Sequence, residues 1–232
     1  MGDSCISCNS WNVFSEEKAI HELHETTRIR MLRVGLTGSI GVGKTFVTGV
    51  LAELGCHVLD ADELAREVVL PGSPALEKVL SAFGADVLRD DGSLNREKLG
   101  SIVFADPAKR QLLNSILHPY IIAEQDQRLR EWEVEDPNGI GVVDAALMIE
   151  SGGYQRFDKL IVVHCRPEVQ LERLMKRNEL TREQAEQRVR AQMDQEEKKK
   201  FADYLIDTSD GFESTRRQTE AVYKKLLSSV AV

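Results

Sequence analysis

The stretch Gly38-Ser39-Ile40-Gly41-Val42-Gly43-Lys44-Thr45 constrains this chain more than any other part of it. It fits the pattern G-x-x-x-x-G-K-[ST] in full. An apolar run, Leu32 to Thr37, precedes it. A helical pattern, Lys44 to Leu54, follows and is stopped by Gly55. Strand, turn and helix in this order point the N–H groups of the glycine loop inward, forming a cavity for phosphate oxygens. The positive end of the helix dipole lies beside that cavity. Lys44 is then expected to bridge the β- and γ-phosphates of a nucleoside triphosphate, and Thr45 to place its hydroxyl on Mg²⁺. The motif predicts nucleotide binding and leaves the acceptor open.

The rest of the chain reads as α/β. Further apolar runs at His57 to Asp60, Ile140 to Leu147, Lys159 to Cys165 and Tyr204 to Asp207 alternate with helical segments. That order predicts a parallel sheet covered by helices on both faces. About 75 residues separate the second and third strands, against about 30 for a whole βαβ unit. Ser73-Pro74, Asn95 and Asp106-Pro107 each start a helix there. His118-Pro119 is expected to break the last helix, which resumes to about Trp132. The segment from 63 to 135 is therefore read as an inserted helical subdomain at the carboxyl ends of the strands, where such sheets bind ligands.

Composition removes some classes. Thirty Lys and Arg stand against 38 Asp and Glu, a net charge of −8, which argues against a nucleic-acid partner held by a general basic surface. No run approaches the ~18 apolar residues of a membrane span. Cys5 and Cys8 form one CxxC without a second pair, half of a zinc site. Cys56 and Cys165 stand beside apolar runs and read as small core residues. With no secretory signal at the start, a cytoplasmic protein is expected; a monomer is expected as well. Residues 1–30 read as a disordered extension, in which Ser15 could cap a short helix. The run Glu196 to Lys200 (EEKKK) reads as a solvated helix face.

Several charged residues are candidates for chemistry. Asp60 and Asp62 end the second strand. In an extended segment they share a face and could both address the phosphates, one acting as general base. The alternative is structural: Asp62 caps a helix from Glu63 to Val69, with Asp60 and Glu63 as a box. Asp144 ends the third strand, where a carboxylate can hold the water shell of a metal; Glu150 lies just beyond. Arg173, Lys176 and Arg177 fall at i, i+3 and i+4 on one helix face after Pro167. Thr181 and Gln184 form a capping box for the next helix. The hairpin across 168–190 reads as a lid whose arginines stabilise transition-state charge.

In order, GLTGSIGVGKT, LDAD, PGSPAL, FG, DG, LNREKL, LNSILHP, ALMIE, VQLERLMKRN, AQM and ADYLID resemble dephospho-coenzyme A kinases from about Met31 to the C-terminus. The resemblance implies transfer of the γ-phosphate of ATP, with Mg²⁺, to the ribose 3′-hydroxyl of dephospho-CoA, giving CoA and ADP. It implies Asp62 as the base, with Lys44 and Arg177 also catalytic. ATP would be held by Gly38, Gly41, Val42, Gly43, Lys44, Thr45, Phe46, Arg173 and Thr208. Thr37, Arg96 and His118, with Asp62, would lie near the acceptor, and the insertion would be the CoA-binding part. Metal contacts would come from Thr45 and, through water, Asp144. Three positions depart from the family: Thr45-Phe46 replaces Ser-Thr, Ala146 replaces proline, and Thr208-Ser209 stands where an Asn lies near the adenine. A nucleotide kinase or other small-molecule P-loop kinase is the nearest alternative. A GTPase-like switch is another, because Asp136-Pro137-Asn138-Gly139 spells D-x-x-G, but it precedes a strand and no N-K-x-D exists.

Overall fold

The computed structural model describes residues 30–230. The expectations for Ser15, for the pair Cys5 and Cys8, and for a disordered extension lie outside the described residues. Among the described residues the strands and helices all belong to the unit that begins at Met31.

Five strands, β1 (Leu32–Thr37), β2 (His57–Asp60), β3 (Ile140–Asp144), β4 (Lys159–His164) and β5 (Tyr204–Asp207), form one parallel sheet in the order β2-β3-β1-β4-β5. Successive side chains point to opposite faces, so each strand feeds two cores. Val142, Ile161 and Val163 face α1 (Lys44–Glu53) and α9 (Gly211–Val230), with Val47, Leu51, Val222 and Leu226. Val143, Leu160 and Val162 face the other way, onto Leu64 and Leu129. The expected doubly covered sheet is present. β3 ends at Asp144, not at Leu147 as the apolar run predicted. Residues 145–151 instead turn away from the sheet. Hydrophobicity alone does not separate a strand from a buried turn.

Between β2 and β3 the chain is helical: α2 (Ala61–Glu67), α3 (Pro74–Phe83), α4 (Arg96–Ala105) and α5 (Pro107–Glu135). Side chains of Ser73, Asn95 and Asp106 cap α3, α4 and α5 where the sequence signals placed them. Val69, Leu76, Val79, Val87, Leu94 and Leu99 pack into a third cluster of their own. The insertion therefore brings its own core.

α5 corrects one expectation. His118-Pro119 does not break it; the helix runs unbroken from Pro107 to Glu135 with Pro119 inside. An internal proline forfeits one hydrogen bond and costs about 3 kcal/mol. Ile116, Leu117, Tyr120 and Ile121, each partly buried, pack on either side of it, and apolar surface removed from water returns roughly 25 cal/mol per Å². Ser115 and Pro119 are both exposed, so water can reach the freed carbonyl. Packing outweighs the local break.

α6 (Pro167–Asn178) and α7 (Arg182–Arg190) follow β4, and Thr181 with Gln184 forms the expected capping box. α8 (Gln195–Lys199) precedes β5. Its run of charges is not wholly solvated, since Lys198 is fully buried. Cys56 and Cys165 are buried free thiols; burial pushes the Cys56 thiol up to about 12. Among the described residues no helix is long and apolar enough to cross a membrane.

Candidate active site

β1 is the central strand, so the loop leaving it opens in the middle of the sheet's carboxyl edge. Gly38 starts that loop hard against β4. A Cβ there would stand 2.4 Å from the Val163 carbonyl oxygen, so no larger residue fits. Gly43 takes a left-handed φ of 89° and turns the chain into α1. Side chains cap α2, α3, α4, α5, α7 and α8, but none caps α1. Its first N–H groups are left for an anion.

A cavity of about 180 Å³ lies over this loop, lined by Ser39, Gly41, Gly43, Lys44, Thr45, Arg173 and Arg177. Three cations thus surround the uncapped helix end in a chain that is acidic overall. The glycine loop is braced from behind. Gln170 Nε2 donates to the Ile40 carbonyl at 2.7 Å, and Ile40 N–H donates to Gln192 Oε1 at 2.7 Å. Arg173 donates to the Thr208 hydroxyl and carbonyl, both at 2.7 Å, and Thr208 donates to the Val42 carbonyl at 2.6 Å. Thr208 is buried in this bridge. Next to it a second cavity of about 360 Å³ is lined by Phe46, Phe212, Thr208 and Thr215 among others. The Phe46 and Phe212 rings lie 4.8 Å apart. Nothing in the sequence pairs residues 46 and 212; the contact arises because α1 and α9 pack together.

Asp144 stands at the tip of β3, level with Asp60 of β2 and Leu36 of β1 in the strand register. Its Oδ1 lies 3.8 Å from Lys44 Nζ. That is a charge contact and not a hydrogen bond, and the buried Oδ1 has no hydrogen-bond partner. Burial pushes its carboxyl up to about 6; Lys44 opposes the shift, and Asp60 and Asp62 add to it.

Asp60 and Asp62 do not share the extended face expected of them. Asp60 is the cap of α2, accepting from the N–H groups of Asp62 at 2.7 Å and Glu63 at 3.2 Å. Asp62 is already in the first turn. The capping role therefore falls to Asp60, and the Asp62 carboxylate is left to line a cleft of about 330 Å³. One face of α5 forms a wall of this cleft, with Asn114, Leu117, His118, Ile121, Ile122 and Gln125 at helical spacing. The opposite wall is the turn after β3, including Ala146, Leu147 and Met148, with Arg156 and Phe157 beyond. His118 thus reaches the same cleft as Asp62.

Two expected acceptor residues are placed less directly. Thr37 is fully buried and its hydroxyl donates to the Ala146 carbonyl at 3.3 Å, behind the wall. Arg96 is not among the residues lining the cleft; it donates to the Arg66 carbonyl at 3.2 Å. Desolvation and the neighbouring Arg66 hold its guanidinium below the usual arginine range. Glu150 accepts from Met193 N–H at 3.2 Å and pairs with Lys198 at 2.8 Å, so it serves the wall and not the phosphate site. Asp136 to Gly139 closes a turn before β3, at the sheet end away from the glycine loop. It is no switch element. Lys198, Arg156 and Phe212 carry no signal in the sequence. Only tertiary neighbours distinguish them from ordinary surface residues.

The profile of the dephospho-CoA kinase family matches residues 32–213. A dephospho-CoA kinase of Carboxydothermus hydrogenoformans is 43% identical over 192 residues, which cover 83% of this chain and 93% of that protein. The one from Leifsonia xyli is 41% identical over 196 residues, 84% of this chain and 99% of that protein. Among solved structures, a Thermus thermophilus protein superposes with a TM-score of 0.70 at 30% identity, covering 85% of this chain and 98% of its own. A Campylobacter jejuni dephospho-CoA kinase gives 0.58 at 28% identity, covering 84% and 96%.

Proposed function

Because the chain belongs to the dephospho-CoA kinase family, we propose that it makes CoA by moving the γ-phosphoryl group of ATP to the ribose 3′-hydroxyl of dephospho-CoA. The observation that carries this reading is the junction at the tips of β2 and β3. Asp144 there lies between Lys44 of the cationic cavity and Asp62 of the largely apolar cleft, interacting electrostatically with both. The cavity suits a triphosphate tail. The cleft, walled by Leu117, Ile121, Ile122 and Met148, suits an acceptor with a long, uncharged arm better than a compact nucleotide. That favours dephospho-CoA over a nucleotide-kinase substrate.

Each side chain then has a task. The N–H groups at the start of α1 and the Lys44 ammonium bind and orient the β- and γ-phosphates. Asp62 accepts the proton of the acceptor hydroxyl as its oxygen attacks phosphorus. Arg173 and Arg177 line the phosphate cavity and offset charge on the transferring group. Arg177 donates to Asn178 Oδ1 at 3.1 Å, a contact it can exchange for phosphate as the lid moves. His118, Asn114 and Ser151 are among the polar groups lining the cleft that would hold the acceptor, with Arg156, which also bonds Gln125 and Asp126. The aromatic pair Phe46 and Phe212 flanks the cavity next to Gly43 and would receive the ATP base.

The residues present fit a magnesium ion arriving with the nucleotide. Among the described residues no group of three or more His, Cys, Asp or Glu is placed to hold an ion alone. The unpartnered buried oxygen of Asp144 suits a metal-bound water, and the Thr45 hydroxyl suits direct contact. Such an ion would neutralise part of the β,γ-phosphate charge.

The test is direct. Purified protein with MgATP and dephospho-CoA should release ADP in an enzyme-coupled assay and yield CoA. Equal turnover with AMP or CMP would reassign the acceptor cleft to a nucleotide.

A further inference from the structure

Lys198 lies in the middle of a charged run, yet its side chain is fully buried. Its neighbours behave as surface lysines: Lys199 pairs with Glu196 and Lys200 with Glu197, both at 2.6 Å. The Lys198 ammonium instead donates to the Ala146 carbonyl and forms an ion pair with the Glu150 carboxylate, both at 2.8 Å. Burying an ammonium carries a desolvation cost that a single ion pair does not reliably return, and a well-packed apolar side chain commonly serves stability as well or better. Stability gives no reason for a lysine here. Geometry does. One ammonium holds the two ends of a single turn, residues 146–150, by a hydrogen bond at one and an ion pair at the other.

That turn is the wall of the cleft opposite α5. It is also bonded back to the nucleotide side. Thr37, the residue before the glycine loop, donates to the same Ala146 carbonyl. Glu150 accepts from the Met193 N–H and also pairs with Lys198. Met193 accepts in turn from Ser39 Oγ at 3.5 Å, and Gln192 accepts from the Ile40 N–H. Residues 192–193, just past the end of α7, are thus joined to the glycine loop on one side. On the other they reach the acceptor wall through Glu150 and Lys198.

We propose that Lys198 is a positioning residue of the phosphoryl transfer. It sets the turn after β3 against the glycine loop so that the acceptor hydroxyl meets the γ-phosphate. The proposal rests on the reading of the cleft as the acceptor site. Without the ammonium the turn loses the one group that ties its two ends together, and at those ends keeps only the longer bonds from Thr37 and Met193. The glycine loop keeps its own brace through Gln170 and Ile40, so ATP binding is spared.

Steady-state kinetics on the full chain tests this. Lys198→Met should raise the KM for dephospho-CoA by about tenfold or more, with the KM for ATP within about twofold of the parent. Because this variant leaves the Glu150 carboxylate without its cationic partner, a second one, Lys198→Met with Glu150→Leu, removes both charges together. It should recover the melting temperature and still show the raised acceptor KM. A normal dephospho-CoA KM in either folded variant, or a rise confined to ATP, overturns the proposal. So does failure of both variants to fold, which would make Lys198 a residue of the fold alone. Ile122→Trp tests the underlying reading separately, by crowding the cleft from α5. An unchanged dephospho-CoA KM in that variant would remove the acceptor from this cleft, whatever the Lys198 variants do.

Discussion

At the scale of single residues, two aspartates two positions apart have divided their work. Asp60 satisfies the N–H groups that open α2, and Asp62, in the first turn of that helix, faces the cleft. The sequence offered both roles to both residues, because a carboxylate at a strand end can cap or catalyse. Their substitutions should therefore separate. Asp62→Asn is expected to lower kcat more than ~100-fold while ATP still binds by calorimetry; a near-parental rate would return Asp62 to a bystander. Asp60→Ala is expected to cost about 1 kcal/mol of stability, read from urea unfolding, through loss of the cap. Lys44 was legible from its motif alone, since no other arrangement of glycines and a lysine at that spacing is as specific. Lys198 was not legible. Three consecutive lysines look alike in sequence, and only the turn packed over one of them makes it different.

At the scale of elements, most boundaries followed from local chemistry. Ser73, Asn95, Asp106 and Thr181 all cap the helices they were expected to start. α1 was legible too, and its lack of a capping side chain is what leaves its first turn to phosphate. α5 was misread, because Pro119 is a strong local signal and apolar packing along both sides of it is a stronger distant one. Pro119→Ala should restore the missing hydrogen bond and stabilise the protein by about 1–3 kcal/mol in urea unfolding. If that variant also binds dephospho-CoA less well, the proline shapes the cleft face of α5 around His118. No gain in stability would mean that the backbone at Ser115 is already satisfied by other means.

At the scale of the whole molecule, every residue assigned to the site lies between Thr37 and Thr215. A chain that starts at Met31 should therefore keep kcat and both KM values close to those of the full chain. A loss of more than about tenfold would show that the preceding residues take part in catalysis. The net charge of −8 hides a local concentration of Lys44, Arg173 and Arg177 around one helix end; composition averages over the surface, and binding does not. What the sequence settled alone were the features whose physics is local: the glycine loop and its helix, the caps, the continuous apolar runs of strands covered on both faces, and the surplus of helix between β2 and β3. The tertiary structure alone decided which groups from distant segments meet. The Phe46 and Phe212 contact, the Asp144 oxygen left without a partner, and the lysine buried beneath the acceptor wall all depend on packing between elements far apart in the chain. No short-range pattern encodes those distances.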